Sequence, residues 1–218
     1  MNIVLNANEI RVLGCLLEKS VTTPDQYPLT LNALVNACNQ KSSRNPVMSL
    51  DPGEVQRTMR MLEEQHVATS KEIFKSRVEK YSHRLCNTPF ASFQFDPAQY
   101  AVVCLLMLRG PQTPGELRSR SGRLHSFADN AEVSETLQSL MDYESGAVVA
   151  RLPRKAGRQD HEYAHLFSGD IESVAAEVVA AAPTVARQST DDLEARVAAL
   201  EEEVAQLRAL ISSNSNSS

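Results

Sequence analysis

Glu54-Val55-Gln56-Arg57-Thr58-Met59-Arg60-Met61-Leu62 is answered further along this 218-residue chain by Glu132-Val133-Ser134-Glu135-Thr136-Leu137-Gln138-Ser139-Leu140. Glu-Val, Thr-apolar and Leu return at the same intervals, three and four residues apart, which is the spacing of one buried helix face. Each copy then runs into an apolar stretch, and Tyr81-Ser82-His83 in the first is echoed by Tyr163-Ala164-His165 in the second. An internal repeat constrains architecture before any chemistry is considered. Here it implies one helix-then-hairpin unit built twice, each copy about 80 residues long and so the size of a small domain.

Working outward, Asp51-Pro52-Gly53-Glu54 opens the repeated helix with a cap and a proline at its first position. Upstream, Asn6 caps a helix expected over 7–20, and Glu9 three residues on completes a capping box. Ile10, Leu13 and Leu17 mark its apolar stripe. A second helix is expected over 30–40 with Leu31, Leu34 and Val35 inward, and strands over 67–74 and 78–85 flank a basic tip, Lys75-Ser76-Arg77. The second copy keeps the order. Asp96-Pro97 caps a helix stopped by Gly110-Pro111, Thr113-Pro114 caps a short one, and the third spans 130–143. Strands over 147–152 and 160–166 then enclose the basic segment 153–159. Three helices followed by a two-stranded hairpin is the order of a winged helix. The expected fold is therefore mainly α with small β-hairpin wings, an α+β protein. Two tandem winged-helix domains (1–90 and 91–168) precede a C-terminal helical and coiled-coil tail.

Residues 101–108, Ala-Val-Val-Cys-Leu-Leu-Met-Leu, are apolar without interruption. Periodicity cannot separate a buried helix from a buried strand here; the cap before it and the Gly-Pro stop after it favour helix. A helix apolar all round must be covered on every side, by the other unit or by a second subunit. Beyond 168, an Ala/Val-rich helix is expected over 169–185. A heptad follows over 190–211, with Val197, Val204 and Ile211 at a and Leu193, Leu200 and Leu207 at d. β-branched a with leucine d suits a parallel two-stranded coil, so a homodimer is expected; packing on the chain's own body is the alternative. The last residues, 212–218, are Ser/Asn only and expected to be disordered.

Net charge is −5, but 9 acidic against 3 basic residues lie in 170–218, leaving the preceding part near neutral. Residues 41–84 carry 9 basic against 6 acidic side chains, a mild bias toward a polyanion. No apolar run is long enough for a membrane span, no leader pattern is visible at the N-terminus, and the four cysteines are scattered without a C-x-x-C pair. A cytoplasmic protein with reduced thiols is the expectation.

Cys38-Asn39-Gln40-Lys41-Ser42-Ser43-Arg44-Asn45-Pro46-Val47 resembles the signature loop of the YceH family of bacterial proteins. Arg109-Gly110-Pro111-Gln112-Thr113-Pro114-Gly115-Glu116-Leu117-Arg118-Ser119-Arg120 does so as well. The resemblance covers about residues 5–168. It implies two tandem winged-helix domains in a cytoplasmic protein, and it carries no catalytic residues.

No catalytic or metal-ligating constellation stands out: the five histidines are dispersed and no phosphate-binding glycine loop is present. No enzyme, cofactor or metal is expected. A winged helix that binds duplex DNA presents its third helix to the major groove. Opposite the buried Val55, Met59 and Leu62 lie Arg57 and Arg60, one turn apart, suited to guanine edges or phosphates. Lys41 and Arg44 in the preceding loop, and Lys71, Lys75 and Arg77 on the hairpin, are candidates for backbone contact. In the second copy Glu135 and Gln138 stand where Arg57 and Arg60 stand in the first. Its weaker candidates are Arg118, Arg120 and Arg123, with Arg154, Lys155 and Arg158 on the wing. Two readings follow. One is a dimeric DNA-binding, transcription-regulatory protein using the first copy; the other is a winged-helix protein-interaction scaffold without DNA.

Overall fold

Side-chain caps decide where the helices begin. The computed structural model describes residues 3–73, 78–89, 91–154 and 160–169. Among them are six α-helices. Four of these open with a reciprocal capping box. α1 (Ala7–Thr22) starts at Asn6. The Asn6 side chain accepts from the Glu9 backbone at 3.0 Å, while Glu9 Oε2 accepts from the Asn6 backbone at 2.7 Å, which satisfies two otherwise orphaned donors. Strand β1 (Leu29–Thr30) leads directly into α2 (Leu31–Cys38), and α3 (Pro52–Glu64) opens on the Asp51/Glu54 box. The chain then reverses through His66, which sits at φ 59°, a left-handed conformation uncommon outside glycine. Strands β2 (Ala68–Ile73) and β3 (Val78–His83) follow.

The second half repeats the sequence of elements. α4 (Pro97–Arg109) is stopped by Gly110 at φ 72°, a conformation that glycine adopts without steric penalty. α5 (Pro114–Arg120) and α6 (Asn130–Met141) precede β4 (Val149–Arg151) and β5 (Tyr163–His165). The helix and strand bounds lie within a few residues of the sequence expectations. β1 is the exception: two residues are too short to leave a periodic signal.

The repeat extends to single hydrogen bonds. Thr58 Oγ1 donates to Glu54 O at 2.8 Å, and Thr136 Oγ1 donates to Glu132 O at 2.8 Å. Val67 N–H donates to Leu62 O at 3.0 Å and Val67 O accepts from Arg84 N at 2.7 Å. Val148 does the same with Leu140 O at 2.9 Å and Leu166 N at 2.8 Å. The first half closes a three-stranded antiparallel sheet in the order β1-β3-β2, with Leu29 opposite Tyr81. In the second half Gln112 takes the place of Leu29, exchanging backbone hydrogen bonds with Tyr163 at 3.0 and 2.8 Å beside the β4-β5 pair.

The two halves share one hydrophobic core. α4 lies against α1, α6 and β5 of the same chain, so its all-apolar stretch is covered on every side. Cys104 is 0% and Leu108 1% exposed. Gly14 on α1 permits the close approach, because a Cβ there would sit 3.0 Å from Leu108 Cδ2 and 3.2 Å from Met107 Cβ. The connecting segment contributes Phe93 and Phe95, stacked at 5.4 Å and packed on Tyr143 and Phe167. Leu5 N–H donates to Phe167 O at 2.7 Å, tying the beginning of the first half to the end of the second. The four cysteines are buried and free of disulfides. No described helix is long and apolar enough to cross a membrane. The helix expected over 169–185, the heptad residues Leu193, Val197, Leu200, Val204, Leu207 and Ile211, and the 212–218 tail lie outside the described residues.

Candidate nucleic-acid interface

α3 is anchored by its buried face and presents the other. Val55, Thr58, Met59 and Leu62 are inside, while Arg57, Arg60, Met61 and Glu64 are exposed. Arg57 lies back over the start of the helix, where a Cβ at Gly53 would stand 3.3 Å from its Nη1. Arg60 is close enough to Tyr81 for its charge to be felt there. Burial pushes the Tyr81 phenol up, the Glu79 hydrogen bond and the Glu79 and Glu63 charges add to that, and Arg60 opposes them. Among the described residues neither arginine makes an ion pair or a side-chain hydrogen bond. An exposed guanidinium without a hydrogen-bond or ion-pair partner is available to an incoming anion.

Lys41 and Lys71 are also exposed. The hairpin register adds a residue that sequence reasoning does not find: Lys80 stands directly opposite Lys71, and Glu79 directly opposite Glu72. Side chains alternate across a strand, so the two lysines share one face and the two glutamates the other. Tyr81, on the glutamate face, is 2% exposed, so the lysine face is the one turned away from the core. Like charges directly opposite one another destabilise a hairpin, a repulsion that a bound polyanion relieves. The signal in the sequence is the pairing of Lys71 with Lys80 about the turn, legible only once the register is known.

Arg44 is a correction. Its loop position predicts contact with a duplex backbone, but it is 5% exposed. Its guanidinium donates to Glu18 Oε1 at 3.2 Å, to Glu18 Oε2 at 2.6 Å and to Ala37 O at 3.1 Å. A buried carboxylate on α1 captures it, and a separation of 26 positions along the chain gives no local cue. Burial pushes the Glu18 carboxyl up, but hydrogen bonds and charge from Arg44, helped by Lys19 at 3.3 Å, outweigh it and hold the group below the ordinary glutamate range. Arg11 is buried alongside, donating to Cys38 O at 3.0 Å and Pro46 O at 2.6 Å. The next residue after Arg44, Asn45, donates its backbone N–H to Leu108 O at 2.9 Å and its carboxamide to Arg109 O at 3.3 Å. The loop over 38–47 thus caps the C-terminal end of α4, and the two signature stretches of the sequence meet there.

The second half offers less to an anion. Glu135 and Gln138 on α6 and Asp142 at its C-terminal cap are exposed, and Gln138 Nε2 donates to Asp142 Oδ2 at 2.6 Å. Arg118 donates to Ala128 O at 2.9 Å. Arg120 is held by Gln112 Oε1 at 2.9 Å and Glu116 Oε1 at 3.3 Å, and Arg123 reaches Glu18 at 3.6 Å. Arg109, between them, has its Nε buried without a partner among the described residues. Burial first, and then the charges of Arg120 and Arg44, push its guanidinium down. Arg154 Nε donates to His161 Nε2 at 3.0 Å, so the ring carries its proton on Nδ1 and donates to Leu152 O at 3.1 Å. Lys75, Arg77, Lys155 and Arg158 lie outside the described residues. Among the described residues no group of histidine, cysteine and carboxylate side chains is arranged to hold a metal.

A family model described as "Protein of unknown function, DUF480" matches residues 5–158. A UPF0502 protein of Vibrio atlanticus is 49% identical over 216 residues, covering 98% of this chain and 99% of its own. A UPF0502 protein of Klebsiella pneumoniae is 50% identical over 213 residues (98% and 97%), and one of Photobacterium profundum is 47% identical over 219 residues (98% and 99%).

Proposed function

The chain belongs to the DUF480 family, and because that membership specifies no activity, we propose from the geometry that it is a duplex-DNA-binding regulatory protein. In this reading each half is a winged helix, with β2-β3 and β4-β5 as the wings, and the first half holds the duplex. α3 enters the major groove and the lysine face of the β2-β3 hairpin follows the phosphate backbone. The observation that carries it is the pair Arg57 and Arg60, one turn apart on an anchored helix, exposed and, among the described residues, making no side-chain hydrogen bond or ion pair. Lys41, Lys71 and Lys80 extend the same positive surface. The protein works in the cytoplasm, by binding and not by catalysis. The heptad over 190–211 pairs two copies, so that two first halves engage one site.

Binding of the full chain to a mixed-sequence duplex, measured by fluorescence anisotropy across a salt series, tests this. Affinity should fall steeply with salt, because phosphate contacts release counterions. Salt-independent binding, or none, would reject it.

A second reading is favoured by one specific surface. The α6 face carries Glu135 and Asp142 where α3 carries Arg57 and Glu64, and a carboxylate there opposes phosphate. The second half is therefore the part suited to a protein partner. A pull-down returning one stoichiometric protein, with no duplex binding by the chain, would select the scaffold role for the whole molecule.

A further inference from the structure

A cleft of about 630 Å³ opens where the two halves meet, on residues that the nucleic-acid reading does not use. The ends of α1 and β3 form one side, through Ser20, Val21, Ser82 and His83. Pro97 and Tyr100 of α4, with Leu124 from the loop after α5, form the other. Its size is that of a small-molecule site, typically about 300–1,000 Å³.

Two properties of the wall define what fits. The first is charge. None of the twelve lining residues is Asp, Glu, Lys or Arg. The imidazole of His83 is held neutral, since burial pushes it down to about 4. An ammonium or carboxylate entering the cleft would lose water and gain no counter-charge. The second is shape. Tyr27 and Tyr100 both flank the His83 ring, with centroids 6.2 and 6.3 Å away and planes tilted by 50° and 57°, and Phe95 lines the same cleft. Such a wall favours a flat aromatic guest.

The hydrogen-bonding groups narrow the guest further. Ser20 Oγ and Tyr100 Oη lie 2.8 and 2.9 Å from Leu17 O and 2.8 Å from each other. Both hydroxyls reach the Leu17 carbonyl and each other, and Tyr100 Oη also lies 3.4 Å from His83 Nε2, so both protons have acceptors inside the wall. The Asn87 carboxamide is likewise occupied, donating to Phe95 O at 2.9 Å and accepting from Phe95 N at 2.7 Å. Tyr27 differs. Its oxygen accepts the His83 backbone N–H at 2.8 Å, and its own proton goes to no described acceptor.

We propose that this cleft is a binding site for an uncharged, planar aromatic molecule bearing a hydrogen-bond acceptor, packed against the tilted rings of Tyr27, His83 and Tyr100 and accepting from the Tyr27 hydroxyl. Because its walls come from both halves, an occupant bridges them. The inference does not depend on duplex binding.

Benzamide, benzoate and benzamidine share one shape and carry no charge, a negative charge and a positive charge at neutral pH. Each is titrated into the ¹⁵N-labelled full chain, following the amides of Ser20, Ser82, His83 and Leu124. Benzamide should shift these amides and bind at least about tenfold more tightly than either charged analogue. Val21→Trp, at an exposed rim position, should block the mouth and weaken benzamide by about tenfold or more while leaving distant amides unmoved. Tyr27→Phe should weaken it by removing the donor. The proposal is overturned if benzamide shifts none of these amides at millimolar concentration, if the charged analogues bind as well, or if Val21→Trp leaves the affinity unchanged.

Discussion

Arg44 grips both carboxylate oxygens of Glu18, Nη1 to Oε1 at 3.2 Å and Nη2 to Oε2 at 2.6 Å, with the two side chains 0% and 5% exposed. The pair sits where the loop over 38–47 meets the end of α4. Removing one partner strands a buried charge, which typically costs about 3–5 kcal/mol. Arg44→Ala and Glu18→Ala should each lower unfolding stability by that order in urea titrations. The Arg44→Ala/Glu18→Ala double variant should lose less than the two single losses added. Additive losses would show that the pair is not coupled. The pH dependence has a definite sign. The Glu18 carboxyl is held below its unfolded value, so its contribution is complete above the ordinary glutamate range and is lost as pH falls through the folded value.

His165 gives a second, separable pH effect. It is 8% exposed and its imidazole is pushed down to about 4 by burial. Between the unfolded histidine value, about 6.5, and the folded one, the unfolded chain holds more protons. Stability therefore falls as pH falls through that window. His165→Leu should remove its share of this slope and leave that of His83, whose imidazole is also pushed down to about 4 by burial. It should do so without loss at neutral pH, since the His165 Nδ1 is buried with no partner among the described residues. An unchanged slope in thermal melts between these pH values would contradict the assignment.

Gly14 and Leu108 report on the contact between the halves. A methyl at Gly14 would meet Leu108 Cδ2 at 3.0 Å and Met107 Cβ at 3.2 Å. Overpacking of this kind costs about 1–3 kcal/mol, against a helix-propensity gain of up to about 1 kcal/mol. Gly14→Ala should be net destabilising in denaturant titrations, and less so when Leu108→Ala has opened the space. An equal effect in both backgrounds would place the strain elsewhere.

Most of the scaffold was legible in the sequence because its signals are local. The Asn6/Glu9, Asp51/Glu54 and Thr113/Glu116 boxes each fall within one helical turn. The Glu-Val, Thr, Leu spacing carries the buried faces of α3 and α6 directly. The all-apolar stretch 101–108 announces a covered helix, and α1, α6 and β5 cover it. What escaped is long-range. Arg44 reads like any loop arginine until Glu18, 26 positions earlier in the chain, draws it into the core. Lys80 gains meaning only from its register with Lys71, and β1 is too short to register as a strand. The aromatic cleft is drawn from five separate segments, so no motif could mark it.

The Lys71–Lys80 pair separates stability from binding. Lys80→Glu replaces a like-charge cross-strand pair with an opposite one, worth about 0.2–1 kcal/mol. The free protein should become slightly more stable while its affinity for duplex DNA falls. A variant that gains stability and keeps full affinity would remove the hairpin from the proposed interface.

Whether α3 holds the duplex is decided by comparing binding of the wild-type chain with that of Arg57→Glu/Arg60→Glu, measured by anisotropy at matched low salt. Both side chains are exposed, so circular dichroism and melting should be unchanged. The variant should lose at least about tenfold in affinity, on the scale of the about 1–3 kcal/mol attached to a single base contact. It should also show a shallower salt dependence, and the control pair Arg118→Glu/Arg120→Glu should bind nearly normally. Wild-type affinity in the Arg57/Arg60 variant, or no duplex binding by the wild type, would contradict duplex binding through α3.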